Sequence, residues 1–221
     1  LNIKPTQISI TNDTKSANKL TSQLYAPLTS STTSSQPVPN DITLNKQLII
    51  TGPNAAGKTT IIKATLFNII LSQQIGFGFY KTAQINPYEY LHCYLNIPDT
   101  SGRDSLFQAE SRRCKEILTC MLEHPNDRHF CIFDELYSGT NPYEAIASAY
   151  GYIDFISKKP NVDLILTTHY IELCELLAKH ERIMNLHMST ASDGLYLYKI
   201  ADGISTIKGG LKVLHDLDYP V

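Results

Sequence analysis

QLIITGPNAAGKTT, residues 47–60, joins an apolar strand to a glycine-bounded loop that ends in a lysine and two threonines. Leu48, Ile49 and Ile50 read as a short buried strand, and Ile61, Ile62, Ala64, Leu66, Phe67, Ile69, Ile70 and Leu71 as a helix apolar nearly all round. Between them, Gly52, four residues, Gly57, Lys58 and Thr59 have the spacing of a phosphate-binding loop. Each residue type answers a need of a triphosphate held with magnesium. Glycines let backbone amides turn toward phosphate oxygens, Lys58 neutralises charge on the outer phosphates, and the Thr59 hydroxyl ligates Mg2+. The helix that follows presents its positive N-terminal end to the same anion. Gly52, Pro53, Asn54, Ala55, Ala56, Gly57, Lys58, Thr59 and Thr60 are therefore the expected nucleotide contacts. A glycine-rich turn with an incidental lysine is the plain alternative, and the flanking strand and helix argue against it.

The 221 residues are 43% hydrophobic, which is enough for one core, so a single ordered domain is expected. A net charge of -2 and a pI near 6.4 leave no basic footprint, so contact with nucleic acid is expected through other parts of a longer protein. The start at Leu1 also suggests a piece of something longer. Cys93, Cys114, Cys120, Cys131 and Cys174 form no CxxC pair, which suits a reducing compartment and speaks against a disulfide scaffold or a zinc site. No apolar run approaches the roughly 20 residues that span a bilayer, and no signal-peptide pattern opens the chain. A soluble, intracellular protein without a membrane partner is expected.

Residues 1–37 are rich in Ser, Thr, Asn, Gln and Pro and read as a flexible linker, with order expected over 38–221. Ile8 and Ile10 alternate with polar neighbours and could add one edge strand. Gly76-Phe77-Gly78-Phe79-Tyr80 reads as a turn packed on the core, because no basic neighbours support base stacking. Tyr90 to Ile97 alternates as a half-buried strand, with a break at Pro98 and Gly102. Ser105 and Gln108 fit a capping box that opens a helix to about Leu122, with Arg112, Arg113 and Lys115 on its solvated face. Phe130 to Phe133 is a continuous apolar run ending in Asp134 and Glu135, as a central parallel strand reads. Asn141 caps the next helix, with Pro142 first and Glu144 third, reaching about Ser157. Leu164 to Leu166 is a third buried strand, ending in Thr167, Thr168 and His169, before a helix from Ile171 to Lys179. Short strands near 183–188 and 195–200 and a last helix over 211–217 complete the reading. It predicts an α/β fold with a mostly parallel central sheet flanked by helices, plus additional antiparallel strands.

Three strand ends thus carry a phosphate loop, an acidic pair and a histidine. Asp134 can hold Mg2+ through its water shell, and Glu135 can polarise an attacking water as general base. Both carboxylates could instead cap the next turn. His169 alone would more often be structural, but at a neighbouring strand end it can sense a terminal phosphate.

TGPNAAGKTT, FDELYSGTNPYEA and LTTHYIEL, with SGRDSLFQAE upstream, together resemble the C-terminal ATPase domain of MutS-type DNA mismatch repair proteins, of the ABC ATPase class. The resemblance runs from about Val38 to Pro220 and implies a P-loop NTPase fold of ABC type with ATP and Mg2+ as ligands. It further implies that two such domains, as a homodimer or a heterodimer with a paralogue, close head to tail over two nucleotides, with DNA held by domains outside this segment. Lys58 and Thr59 would take the family's lysine and hydroxyl positions, Asp134 and Glu135 its acidic pair, and His169 its switch histidine. Ser105 would match the signature serine that reaches the partner subunit's terminal phosphate, alongside its plain reading as a helix cap. Relatives often carry Asn-Met-Gly-Gly-Lys-Ser where this chain has Asn-Ala-Ala-Gly-Lys-Thr, which keeps the required groups. Where relatives place a ring against adenine, this chain has Pro37 and Val38. Tyr198 lies near the family's second ring and could take over, or be a half-buried strand residue. Two rival readings are a nucleotide-dependent dimerisation module that barely turns over, against which Glu135 argues, and an SMC-like head, which would need a long coiled-coil insertion.

Overall fold

The computed structural model of the chain describes residues 5–10, 17–29, 37–95, 97, 105–191, 194–205 and 207. The expected helix over 211–217, the polar run over 30–36 and the break at Pro98 and Gly102 lie outside the described residues. Along the chain the elements are β1 (Thr6–Gln7), β2 (Ser9–Ile10), β3 (Asn18–Gln23), α1 (Ala26–Thr29), β4 (Asn40–Leu44), β5 (Gln47–Thr51), α2 (Lys58–Ile75), β6 (Phe77–Gly78), β7 (Thr82–Ile85) and β8 (Tyr90–Tyr94). They continue as α3 (Leu106–Glu123), β9 (His129–Asp134), α4 (Pro142–Ser157), β10 (Val162–Thr168), α5 (Ile171–Leu177), β11 (Ile183–Thr190) and β12 (Tyr196–Asp202). Instead of the single domain expected from length, these fall into two compact units, one within Leu1–Asn45, Gly52–Pro87 and His187–Val221, the other within Lys46–Thr51 and Tyr88–Leu186.

The second unit is built on a parallel sheet. Its strands β5, β10, β9 and β8 lie in that order, and the register pairs Thr51 with Thr168, Asp134 with Thr167, and Tyr94 with Phe133. Strands covered on both faces read as unbroken apolar runs, and Leu48, Ile49, Ile50, Phe130, Cys131, Ile132, Phe133, Leu164, Ile165 and Leu166 are all buried. Gln47, at the start of β5, is buried, and its Nε2 donates to the Val162 carbonyl at 2.9 Å. Of the helices, α4 starts as expected: Asn141 accepts from the Glu144 amide at 3.1 Å, and Pro142 takes the first position. No helix among the described residues is long and apolar enough to cross a membrane.

In the first unit β3 pairs antiparallel with both β4 and β7, β7 pairs parallel with β2, and β1 pairs antiparallel with β6. Over the described residues 5–10 and 17–29, this corrects the reading of a linker. Asn18, Leu20 and Gln23 of β3 are buried, and the polar ones are paired with distant chain: Asn18 exchanges two hydrogen bonds with the Asn86 backbone, at 2.6 and 3.1 Å, and Gln23 donates to the Thr65 hydroxyl at 2.7 Å. The glycine and aromatic stretch is a turn against α2, where the Tyr80 and Ser72 hydroxyls meet at 2.9 Å and the Asn68 side chain accepts from the Phe79 amide at 2.7 Å.

Candidate functional site

In the first unit, the loop from Gly52 to Gly57 leads directly into α2. Gly52 has a φ of 152°, and a Cβ there would sit 2.9 Å from the Met188 Cβ. Gly57 precedes the helix with a φ of 98°, and its Cβ would meet the Tyr198 ring at 3.2 Å. Both positions therefore call for glycine on backbone and steric grounds. Pro53 and Ala56 are buried, whereas Asn54 and Ala55 are exposed. Ala55 adopts a left-handed φ of 62°, a conformation that turns successive amides to one side of a loop. Lys58 is buried, and its ammonium donates to the Gly52 carbonyl at 2.9 Å and to the Pro53 carbonyl at 3.2 Å. A cation is thus held across the loop at a helix N-terminus, a place suited to anions. Thr59 and Thr60 occupy the first turn of that helix, half-buried.

Beside the loop lies a cavity of about 400 Å3 lined by Tyr25, Pro37, Val38, Gly57, Thr60 and Tyr198 among others. Tyr198 carries a left-handed φ of 54°, and Asn40 fixes that kink: its Nδ2 donates to the Tyr198 carbonyl at 2.8 Å and its Oδ1 accepts from the Ile200 amide at 2.9 Å. The Tyr198 ring lines the cavity from within β12, with the residue 46% exposed. Tyr25, in the stretch read as linker, is a wall residue that sequence reasoning missed.

The second unit brings the acidic pair and the histidine to one sheet edge, because β5, β10 and β9 run parallel and in register. Such an edge is where open α/β sheets hold ligands. Asp134 ends β9, and its carboxylate accepts from the Thr167 hydroxyl of β10. Glu135, next in the chain, has a left-handed φ of 52° and donates its amide to the Thr167 carbonyl at 3.0 Å. That kink separates the directions of two consecutive carboxylates. The Glu135 Oε1 lies 3.9 Å from His169 Nδ1, with the histidine side chain 48% exposed. Ser105 is an N-cap in full: its hydroxyl accepts from the Gln108 amide at 3.3 Å, and Gln108 Oε1 accepts from the Ser105 amide at 2.9 Å. The capping box leaves Ser105 exposed at the helix start.

One member of this unit left no sequence signal. Glu110, buried on α3, accepts from the Ser138 amide at 2.9 Å, the Ser138 hydroxyl at 3.1 Å and the Gly139 amide at 3.1 Å. A Cβ on Gly139 would meet the Leu106 Cγ at 2.6 Å, so the turn after the acidic pair packs closely on the helix that Ser105 opens. Glu110→Gln retains one acceptor oxygen and loses the other, together with the charge, and is expected to lower stability by about 1–2 kcal/mol. Urea unfolding checks this, and an unchanged midpoint would show that Glu110 does not hold the turn.

The family model described as MutS domain V matches residues 48–221 of the chain. Among curated proteins, the chain is similar to the DNA mismatch repair protein MutS of Persephonella marina, 28% identical over 183 residues that cover 80% of this chain and 21% of that protein. It is likewise similar to MutS of Geobacillus thermodenitrificans, 28% identical with 83% and 20% covered, and of Lactococcus lactis, 30% identical with 80% and 21% covered. The chain spans about a fifth of the length of these curated relatives.

Proposed function

The chain belongs to the MutS domain V family, and on that premise we propose that it is a P-loop ATPase domain of ABC type, which binds and hydrolyses ATP with Mg2+. The observation that carries this reading is the buried Lys58 ammonium laid across a glycine-bounded loop, beside a cavity walled by Tyr198. The residues fit the ligand. A triphosphate offers oxygens to the Lys58 ammonium in place of the Gly52 and Pro53 carbonyls, and the cavity takes a planar base against the tyrosine ring. Thr59 and Asp134 would hold Mg2+, whose charge offsets that of the phosphates. Glu135 takes a proton from the attacking water, and His169 senses the terminal phosphate. Residues 38–221 form the ATPase region in this reading. Two copies, or this chain and a paralogue, close head to tail so that Ser105 of each reaches the other's nucleotide, and nucleotide turnover drives DNA handling by domains outside this segment.

Turnover of the purified chain tests the composite site. ATP hydrolysis per chain is expected to rise with protein concentration, and to fall when a Ser105→Ala variant is mixed into the wild-type protein. Hydrolysis per chain that is constant with concentration and indifferent to the variant would mean a self-contained site and would remove the role of Ser105 in trans.

A further inference from the structure

Away from the nucleotide residues, β8, β9 and α3 bring together three side chains that can ligate a metal ion. Strands β8 and β9 pair Tyr90 with His129, so alternation puts His92, two residues on, on the same face as His129. Cys120 on α3 faces this pair, and the three ligand atoms lie within 4.8 Å of one another. We propose that His92 Nε2, His129 Nδ1 and Cys120 Sγ form a binding site for a thiophilic divalent transition ion of the zinc type. This proposal does not rest on the nucleotide reading. It also revises the expectation, drawn from cysteine spacing, that the chain has no zinc site, because these ligands come from three elements and leave no CxxC pattern.

The hydrogen bonds around the pair fit a ligating arrangement. His129 Nε2 lies 2.9 Å from the His124 carbonyl, which can only accept, so that nitrogen carries the proton and Nδ1 is left with its lone pair. Metal-bound histidines are oriented in this way, by a carbonyl on the far ring nitrogen. His92 Nε2, 3.0 Å from His129 Nδ1, then donates into that lone pair. An ion replaces this shared proton. His92 moves its proton to Nδ1 and stays neutral, while the Cys120 thiol gives its proton to solvent, so one proton is released per ion bound. Burial and the neighbouring His129 push the His92 pKa down to about 4, so His92 is neutral at pH 7. Burial, with Glu123 and Asp127 nearby, raises the Cys120 pKa. The Tyr90 ring stacks on His129 with centroids 5.0 Å apart, covering one side. Tetrahedral zinc, with bonds of ~2.0–2.3 Å, holds its ligand atoms ~3.3–3.8 Å apart, so small side-chain adjustments close the site. Two imidazoles and a thiolate select zinc-type ions over Mg2+, which takes oxygen ligands.

Titration of the purified full chain with Co2+, then Zn2+, tests the site in the presence of excess Mg2+, which occupies oxygen-ligand sites. The expected result is one ion per chain, a thiolate-to-cobalt charge-transfer band that Zn2+ bleaches, and release of one proton. Cys120→Ser and His92→Gln should each abolish the band, while Cys93→Ser, which changes another half-buried thiol, should leave it intact. No band in the wild-type chain, or a band that survives Cys120→Ser, would overturn the proposal. If the serine variant loses its native circular dichroism, the wild-type stoichiometry and the His92→Gln variant decide instead. Failure here leaves ATP turnover untouched, and failure of turnover leaves this binding untouched.

Discussion

Glu135→Gln is expected to lower ATP turnover by about 10²–10⁴-fold, the contribution typical of one positioned general base, while ATP affinity is kept. The substitution is close to isosteric. The amide still occupies the space of the carboxylate and still offers one acceptor oxygen, but at neutral pH it cannot take a proton from water. Glu135 owes its position to the backbone, since its left-handed φ of 52° is held by the hydrogen bond its amide donates to the Thr167 carbonyl, and the substitution does not touch that hydrogen bond. Its side chain is partly exposed, so little stability is at stake. Single-turnover hydrolysis with protein in excess, beside equilibrium ATP binding, separates chemistry from affinity. Unchanged hydrolysis would remove Glu135 as the base and favour the reading of a nucleotide-dependent dimerisation module. Loss of affinity in step with turnover would make it a binding group.

The parallel strands and long helices were legible because their signals are local. Phe130 to Phe133 and Leu164 to Leu166 are unbroken apolar runs, and Ser105 with Gln108 and Asn141 with Pro142 mark helix starts within four residues. What escaped was polar and long-range. Strand β3 reads as linker because its inward residues include Asn18 and Gln23, which become acceptable in a core only through Asn86 and Thr65, some 40 to 70 residues away. Strand β7, a four-residue alternation of buried and exposed positions, sits behind a glycine and aromatic turn that drew the reading instead. The loop and acidic pair were visible as motifs, and the parallel register then aligned Asp134 with Thr167. Tyr25 and Glu110 could not be found from spacing, because their roles depend on which surfaces the fold brings beside them. The same holds for His92, Cys120 and His129, whose spacings of 28 and 9 residues match no metal motif.

Lys58→Met should produce the other large loss, about 10²–10³-fold in turnover, the usual cost of removing one fixed electrostatic donor from a reacting group. Methionine keeps a flexible apolar stem of similar reach, so the packing of the first turn of α2 is largely retained. Two effects of the missing ammonium must be told apart. It donates to the Gly52 and Pro53 carbonyls, and its removal is expected to cost about 1–3 kcal/mol of stability, because buried carbonyls lose a charged donor. If phosphate takes the ammonium from those carbonyls on binding, ATP affinity falls as well, and it falls for folded protein at temperatures well below the transition. Thermal unfolding of the variant alone, and ATP binding measured far below its midpoint, report on the two separately. A variant with a lowered midpoint but undiminished affinity and turnover would make Lys58 a strut of the loop. Lowered affinity and turnover in folded protein would make it the cation that meets the phosphates.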